Sequence, residues 1–334
     1  MLFASKEGTH LSKLSKTIGQ LPVGLIATTL GLCTLSNAYF AIDLPIIRTI
    51  VMGYGLVVWG LAVVKGVFCH QVFLKEYSQV VPSSLYATFP MLTAVLSSFL
   101  FGFNEILGTF LWYFAVVLHM IHLLVFTYRN VFQNFQKATF LPTWFVTYIG
   151  LLVPVVVGSH IGHPLLVQGI TYYGFAATLI LLPLMLTTKV PETMALTNNI
   201  YFAPLSLCLI SYLNVWREPN IVIVVFLSGC LLVALGILGG KMLFFVKRAF
   251  HPTFASLTFP CAIATIAFYR IGQFFYLREA LTAAELFVSL FGVMVFFATG
   301  ILLYVAYRFV DGFLLNVVEN LTPLEFEGKK EEAE

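Results

Sequence analysis

Residues capable of covalent or metal chemistry are few in this chain, and their spacing argues against such chemistry. His119 and His122 lie three apart in an apolar run, on one face of a helix, but no H-E-x-x-H surrounds them and no G-x-S-x-G occurs anywhere. Hydrogen-bonded helix packing is the expected role for this pair. His160 and His163 flank a short turn and are expected to be solvated. Aspartate occurs only at Asp43 and Asp311, so no carboxylate pair assembles within an apolar segment. The five cysteines, Cys33, Cys69, Cys208, Cys230 and Cys261, are widely spaced without a C-x-x-C and read as small buried hydrophobes. An enzyme, a metal site and a bound cofactor are therefore not expected.

The pattern that does recur is proline with small hydroxyl residues. Pro22, Pro82, Pro142, Pro204 and Pro252 each open an apolar stretch, at steps of 60, 60, 62 and 48 residues. Proline is tolerated there because the first helical turn has no intrahelical partners for its N–H groups. A second proline lies deeper in three of these stretches, at Pro90, Pro154 and Pro260. Such a proline removes a backbone hydrogen bond and bends the helix, and in hydrocarbon the freed carbonyl needs protein or water beside it. The same stretches carry Gly24, Ser83, Ser84, Thr88, Thr147, Ser206, Thr258 and Thr265. Hydroxyls, glycine and freed backbone beside a central pathway would account for this composition; close helix packing through small residues is the competing account. Gly236 and Gly240, a small-xxx-small pair, read as packing of that kind.

The elements that must position these residues follow from composition. Of 334 residues, 60% are hydrophobic and 10% charged, with 18 basic and 15 acidic side chains and a mean hydropathy of +0.94. A soluble chain carries roughly 25% charged residues, so a soluble enzyme, a nucleic-acid binder and a disordered scaffold are excluded. Apolar stretches at 18–41, 45–69, 83–101, 105–128, 141–159, 164–188, 199–214, 219–246, 253–276 and 281–308 predict ten transmembrane helices. The first is too long for a signal-peptide core and is expected to be a span rather than a cleaved leader. Four basic residues, Arg48, Arg217, Arg270 and Arg278, fall on one side and the other fourteen on the opposite side. By the positive-inside rule both termini are cytoplasmic, which an even number of spans permits. The expected organisation is a cytoplasmic N-terminus at 1–17, an all-α membrane domain at 18–308 and a cytoplasmic tail at 309–334. Five hairpins of similar length suggest five equivalent units, with five bent odd helices inside and five greasy even helices outside, around a central pore.

Acidic residues say what such a pore would pass. Asp43, Glu105, Glu218, Glu279 and Glu285 lie near the outer ends of spans, and none falls in the middle of one. Cation pathways usually display carboxylates there. A neutral tube with a basic cytoplasmic mouth favours anions.

The stretches Leu21-Pro22-Val23-Gly24-Leu25, Ala87-Thr88-Phe89-Pro90-Met91, Leu141-Pro142-Thr143-Trp144-Phe145, Ala203-Pro204-Leu205-Ser206-Leu207 and Leu257-Thr258-Phe259-Pro260 fall in successive odd segments. Together they resemble the tellurite-resistance/dicarboxylate transporter family, which includes bacterial tellurite-resistance channels, fungal malate and sulfite carriers, and the plant guard-cell slow anion channel. The resemblance runs from about residue 18 to 308. It implies a homotrimer in a cell membrane, each protomer having its own pore within five inner helices, and a phenylalanine on the ninth segment that blocks it. On the Thr-Phe-Pro match that residue is Phe259. The expected function is an inner-membrane channel for small inorganic or organic anions. The rivals are a proton-coupled carrier of malate or another C4-dicarboxylate, and a membrane sensor or assembly platform that transports nothing.

Overall fold

A computed structural model describes residues 17–245 and 249–321, which are helical with turns and no strand. Most of the expected N-terminal and C-terminal cytoplasmic segments, together with Lys247 and Arg248, lie outside the described residues. In chain order the helices are α1 (Val23–Ala41), α2 (Pro45–Phe68), α3 (His70–Tyr77), α4 (Val80–Tyr86), α5 (Thr88–Phe101), α6 (Glu105–Thr127), α7 (Trp144–Ile149) and α8 (Val153–Gly158). They continue with α9 (Pro164–Leu186), α10 (Phe202–Val215), α11 (Ile221–Phe245), α12 (Ala255–Tyr276) and α13 (Leu281–Leu321). The last runs unbroken past residue 308, where its apolar stretch ends.

Local chemistry sets the helix ends. Pro45 and Pro164 open α2 and α9, where a missing N–H costs nothing. The side chain of Asn104 caps α6 by accepting from the Leu107 amide at 2.9 Å. The tight turns after α1 and α12 each place an acidic residue in the left-handed region, Asp43 at φ 61° and Glu279 at φ 59°. Leu44 and Ala280 then donate back to the carbonyls of Tyr39 and Phe275, at 3.0 and 3.1 Å, in the Schellman pattern.

Eight helical stretches are long and apolar enough to cross a membrane. The expected fifth segment appears as a shorter apolar stretch, Trp144–Gly158, and the eighth as α11. Fifteen residues span about 22 Å, short of the roughly 30 Å hydrocarbon core. Trp144–Gly158 is further interrupted by a 3-10 turn at Gly150–Leu152, just before Pro154.

Burial alternates along the chain. In α1, in α4–α5, in the stretch leading through α10 and in that through α12, 72% to 83% of the spanning window is buried. In α2, α6, α9 and α13 the share is 22% to 33%. The exposed side chains of this second set are themselves apolar, as at Ile46, Ile50, Phe110, Leu124, Leu179 and Phe296. A helix with an apolar exposed face is stable in lipid and not in water. The buried helices form a closed circuit: α1 packs on α5, α5 on α8, α8 on α10, α10 on α12, and α12 on α1 again.

Candidate functional site

Four members of that circuit, α1, α5, α10 and α12, converge with α7 and the turn leading into α8 on one internal cavity of about 30 Å³. It is lined by Ala27 of α1, by Leu85, Thr88 and Met91 at the α4–α5 break, and by Phe145, Val146 and Gly150 of α7 and its end. Ile200, Ala203 and Leu207 line it from α10 and the turn before it, and Ala255, Ser256, Phe259 and Pro260 from α12. A space of this size holds a few water molecules at most, so an ion with its hydration shell does not fit.

The helix breaks are what bring these residues together. Prolines at positions 154, 204 and 260 cannot donate to the carbonyls four residues earlier, which belong to Gly150, Ile200 and Ser256, and all three line the cavity. At Gly150 the chain recovers by a tighter turn, with the Val153 amide donating to the Gly150 carbonyl. Ala87 interrupts the helix before Pro90, and a ten-residue 3-10 stretch, Glu192–Tyr201, precedes α10. Proline and glycine thus put irregular backbone around the cavity, within the buried circuit rather than against lipid.

Of the residues expected from the sequence, Phe259, Pro260 and Thr88 line this cavity. Pro22, Gly24, Pro82, Pro90, Pro142, Thr147, Pro154, Pro204, Ser206 and Thr258 lie elsewhere. Pro22 forms the N-cap of α1, and Pro82 lies within α4. Gly24 sits under the ring of Phe309 on α13. Pro90 faces an outer groove beside Trp59 and Phe89. The carbonyl of Pro154 accepts from Trp112 Nε1 at 2.9 Å, and Pro142 and Pro204 are buried between helices.

The hydroxyls mostly turn away from the centre. Ser206 donates to the Phe202 carbonyl at 2.7 Å and Thr258 to the Ala255 carbonyl at 2.7 Å. Even the two hydroxyls that line the cavity, Thr88 and Ser256, bond backbone carbonyls three residues earlier, those of Leu85 and Thr253, at 2.7 and 2.6 Å. The constriction is therefore largely apolar. Its aliphatic lining, from Ala27 to Leu207, carries no sequence signal beyond hydrophobicity. Gly150 is the exception, its position before Pro154 marking a break.

Polar clusters also lie outside the cavity lining. His119 Nε2 meets the Thr147 carbonyl at 2.8 Å. His122 lies 3.3 Å from Thr147 Oγ1 and 2.8 Å from Tyr77 Oη. The pair thus packs by hydrogen bonding, as expected. Lys65, counted from the sequence among the cytoplasmic-side charges, is buried. It donates to the Leu21 carbonyl at 2.7 Å and pairs with Glu76 at 2.8 Å, and Tyr86 donates to the same carboxylate.

No curated protein matches the chain. The sequence profile described as voltage-dependent anion channel, SLAC1, matches residues 20–310. With that match over most of its length and apolar helices that repeatedly cross the bilayer, the chain is a multi-pass membrane protein belonging to the SLAC1 voltage-dependent anion channel family, whose members are channels or transporters of anions.

Proposed function

We propose that the chain is an anion-selective channel whose pore runs along the centre of the five-helix circuit and is occluded by Phe259. The observation that carries this reading is the small cavity at the centre of the circuit, lined by four of its helices and by α7, with Phe259 and Pro260 in its wall. An aromatic ring closes a narrow apolar tube well, because it excludes water and an ion cannot shed its hydration shell without replacement. The lining has no carboxylate, so a bare anion meets no like charge. Small monovalent anions, whose dehydration costs least, are the expected cargo.

Ten membrane crossings in quasi-fivefold order, with both termini on the cytoplasmic side of a cell membrane, complete the proposal. The broken stretch Trp144–Gly158 and α11 supply the fifth and eighth crossings. The assembly is a homotrimer with one pore per protomer. Native mass spectrometry of detergent-purified protein should give three copies; a monomer at all protein concentrations would remove that element.

The test of function is flux through purified protein in liposomes, wild type beside Phe259→Ala, with chloride, nitrate and malate. Passive chloride or nitrate flux that rises at least tenfold in the variant supports the occluded channel. Unchanged flux sinks the gate. A proton-coupled dicarboxylate carrier, of malate or in a tellurite-resistance role, is the second reading, and one observation favours it. His119 lies directly behind the cavity wall, its Cε1 within 2.8 Å of where a Cβ on Gly150 would stand. Malate uptake that saturates and requires a proton gradient would establish that reading instead. A membrane sensor is left only if no anion moves through either protein.

A further inference from the structure

Arg270 stands on α12 eleven residues beyond Phe259. At 3.6 residues per turn the two positions differ by only about 20° around the helix and lie about 16 Å apart along it. They therefore face the same way. Asn214 bears the same relation to the cavity on α10, being seven residues beyond Leu207 and eleven beyond Ala203, both of which line it. These two positions meet: Arg270 Nη2 donates to Asn214 Oδ1 at 2.7 Å. The Asn214 amide in turn donates to the carbonyls of Val155 and Val156 on α8, at 3.3 and 2.9 Å. Ser98, seven residues beyond the cavity-lining Met91 on α5, donates to the Val157 carbonyl beside them at 2.7 Å. Four of the five circuit helices thus contribute to one polar layer, two to three turns from the cavity toward the end away from Lys65 and Glu76.

The charge of this layer is uncompensated. Among the described residues the ion pair is Lys65–Glu76, and Arg270 has no carboxylate within 4.0 Å. Both Arg270 and Asn214 are half-buried. A guanidinium has five donors in a fixed plane and keeps its charge at any physiological pH. Held among neutral partners within a membrane, it is costly unless water or an anion reaches it. Asn214 is anchored through its amide to two carbonyls, so its oxygen can fix the guanidinium without neutralising it.

We infer that Arg270, clamped by Asn214, is an anion site in the pathway beyond the Phe259 constriction. It takes small monovalent inorganic anions such as chloride and nitrate. One guanidinium among neutral groups balances one negative charge, whereas a dicarboxylate would bring a second charge with no partner. The site supplies the fixed positive charge that the apolar constriction lacks, raising the local anion concentration next to it. This deepens the channel reading and rests on it for its role in conduction, although not for binding.

Two measurements test it separately. Chloride-35 NMR line broadening by purified wild-type protein in detergent reads binding whether or not the pore opens. Arg270→Gln and Asn214→Asp, the second of which sets a carboxylate against the guanidinium, should each remove most of the protein-dependent broadening. Arg270→Lys should retain it. Equal broadening by wild type, Arg270→Gln and Asn214→Asp, each eluting as folded protein, would overturn the inference. Single-channel recording in the Phe259→Ala background reads conduction. Adding Arg270→Gln should lower chloride current several-fold in about 0.1 M salt and much less in about 1 M salt, where the field is screened. No change in current or in chloride-over-potassium selectivity would also overturn it. Silence of Phe259→Ala alone would count against the gate and leave the NMR result to decide the site.

Discussion

Gly31 on α1 lies against the backbone of Phe259: a Cβ built on Gly31 would stand 2.9 Å from the Phe259 amide nitrogen and 2.9 Å from the Thr258 carbonyl carbon. The obstacle is main chain, which cannot swing aside as a side-chain tip can. The first and last members of the circuit are thus in close contact at the residue proposed to close the pore.

Gly31→Ala should force α12 away from α1 at this level. Overpacking of this kind costs about 1–3 kcal/mol. A lower melting temperature in detergent is expected, together with altered chloride flux, because the displaced segment carries Phe259. An unchanged melting temperature and unchanged flux would show that the two helices separate freely here.

Gly24, for which the sequence suggested a place in the pore lining, should behave differently. A Cβ there would stand 2.4 Å from Cζ of Phe309, so Gly24→Ala should destabilise through α13 rather than narrow a pore. Phe309→Leu shortens the obstacle and should recover much of the loss in the double variant. The coupling in a double-mutant cycle should be on the order of 1 kcal/mol. Additive losses would mean that the two side chains do not meet.

The Lys65–Glu76 pair ties α2 and α3 together and, through the Leu21 carbonyl, reaches the start of α1. Lys65→Met leaves a carboxylate without its cation and should cost on the order of 3 kcal/mol. Lys65→Met with Glu76→Gln should be milder than Lys65→Met alone, since no lone charge remains. Thermal unfolding of the three proteins checks the order; a double variant worse than the single would refute it.

Asp43 and Glu279 hold left-handed backbone that glycine adopts without steric cost. Asp43→Gly and Glu279→Gly should each be neutral or raise stability by up to about 1 kcal/mol. The same substitution in a neighbouring helical turn, at Ala41, should lower it by a similar amount. Melting temperatures of the three variants decide this, and a marked loss at Asp43 or Glu279 would point to a role for the carboxylate itself.

Much of the architecture is written locally, which is why it was legible. Nearly every expected apolar stretch recurs as a helix with ends within a few residues, because hydropathy acts on contiguous segments. The buried and lipid-facing sets were separable by where proline, glycine and hydroxyls accumulate. Phe259 was singled out by the resemblance of Thr-Phe-Pro at 258–260, and both Phe259 and Pro260 line the central cavity.

Side-chain direction was not legible in the same way. Thr258 and Ser206 carry hydroxyls suited to a pore lining, yet each bonds its own helix, an option open to any serine or threonine in a helix. Lys65 reads only as one of the basic residues of one side, and its partner Glu76 is presented by the way α3 folds back. Arg270 and Asn214 are 56 residues apart, and nothing in either neighbourhood announces the other. The sequence by itself determined a membrane protein of proline-broken apolar helices. Only the tertiary structure decided which atoms face the centre, because rotamers and partners depend on how helices distant in the chain pack against one another.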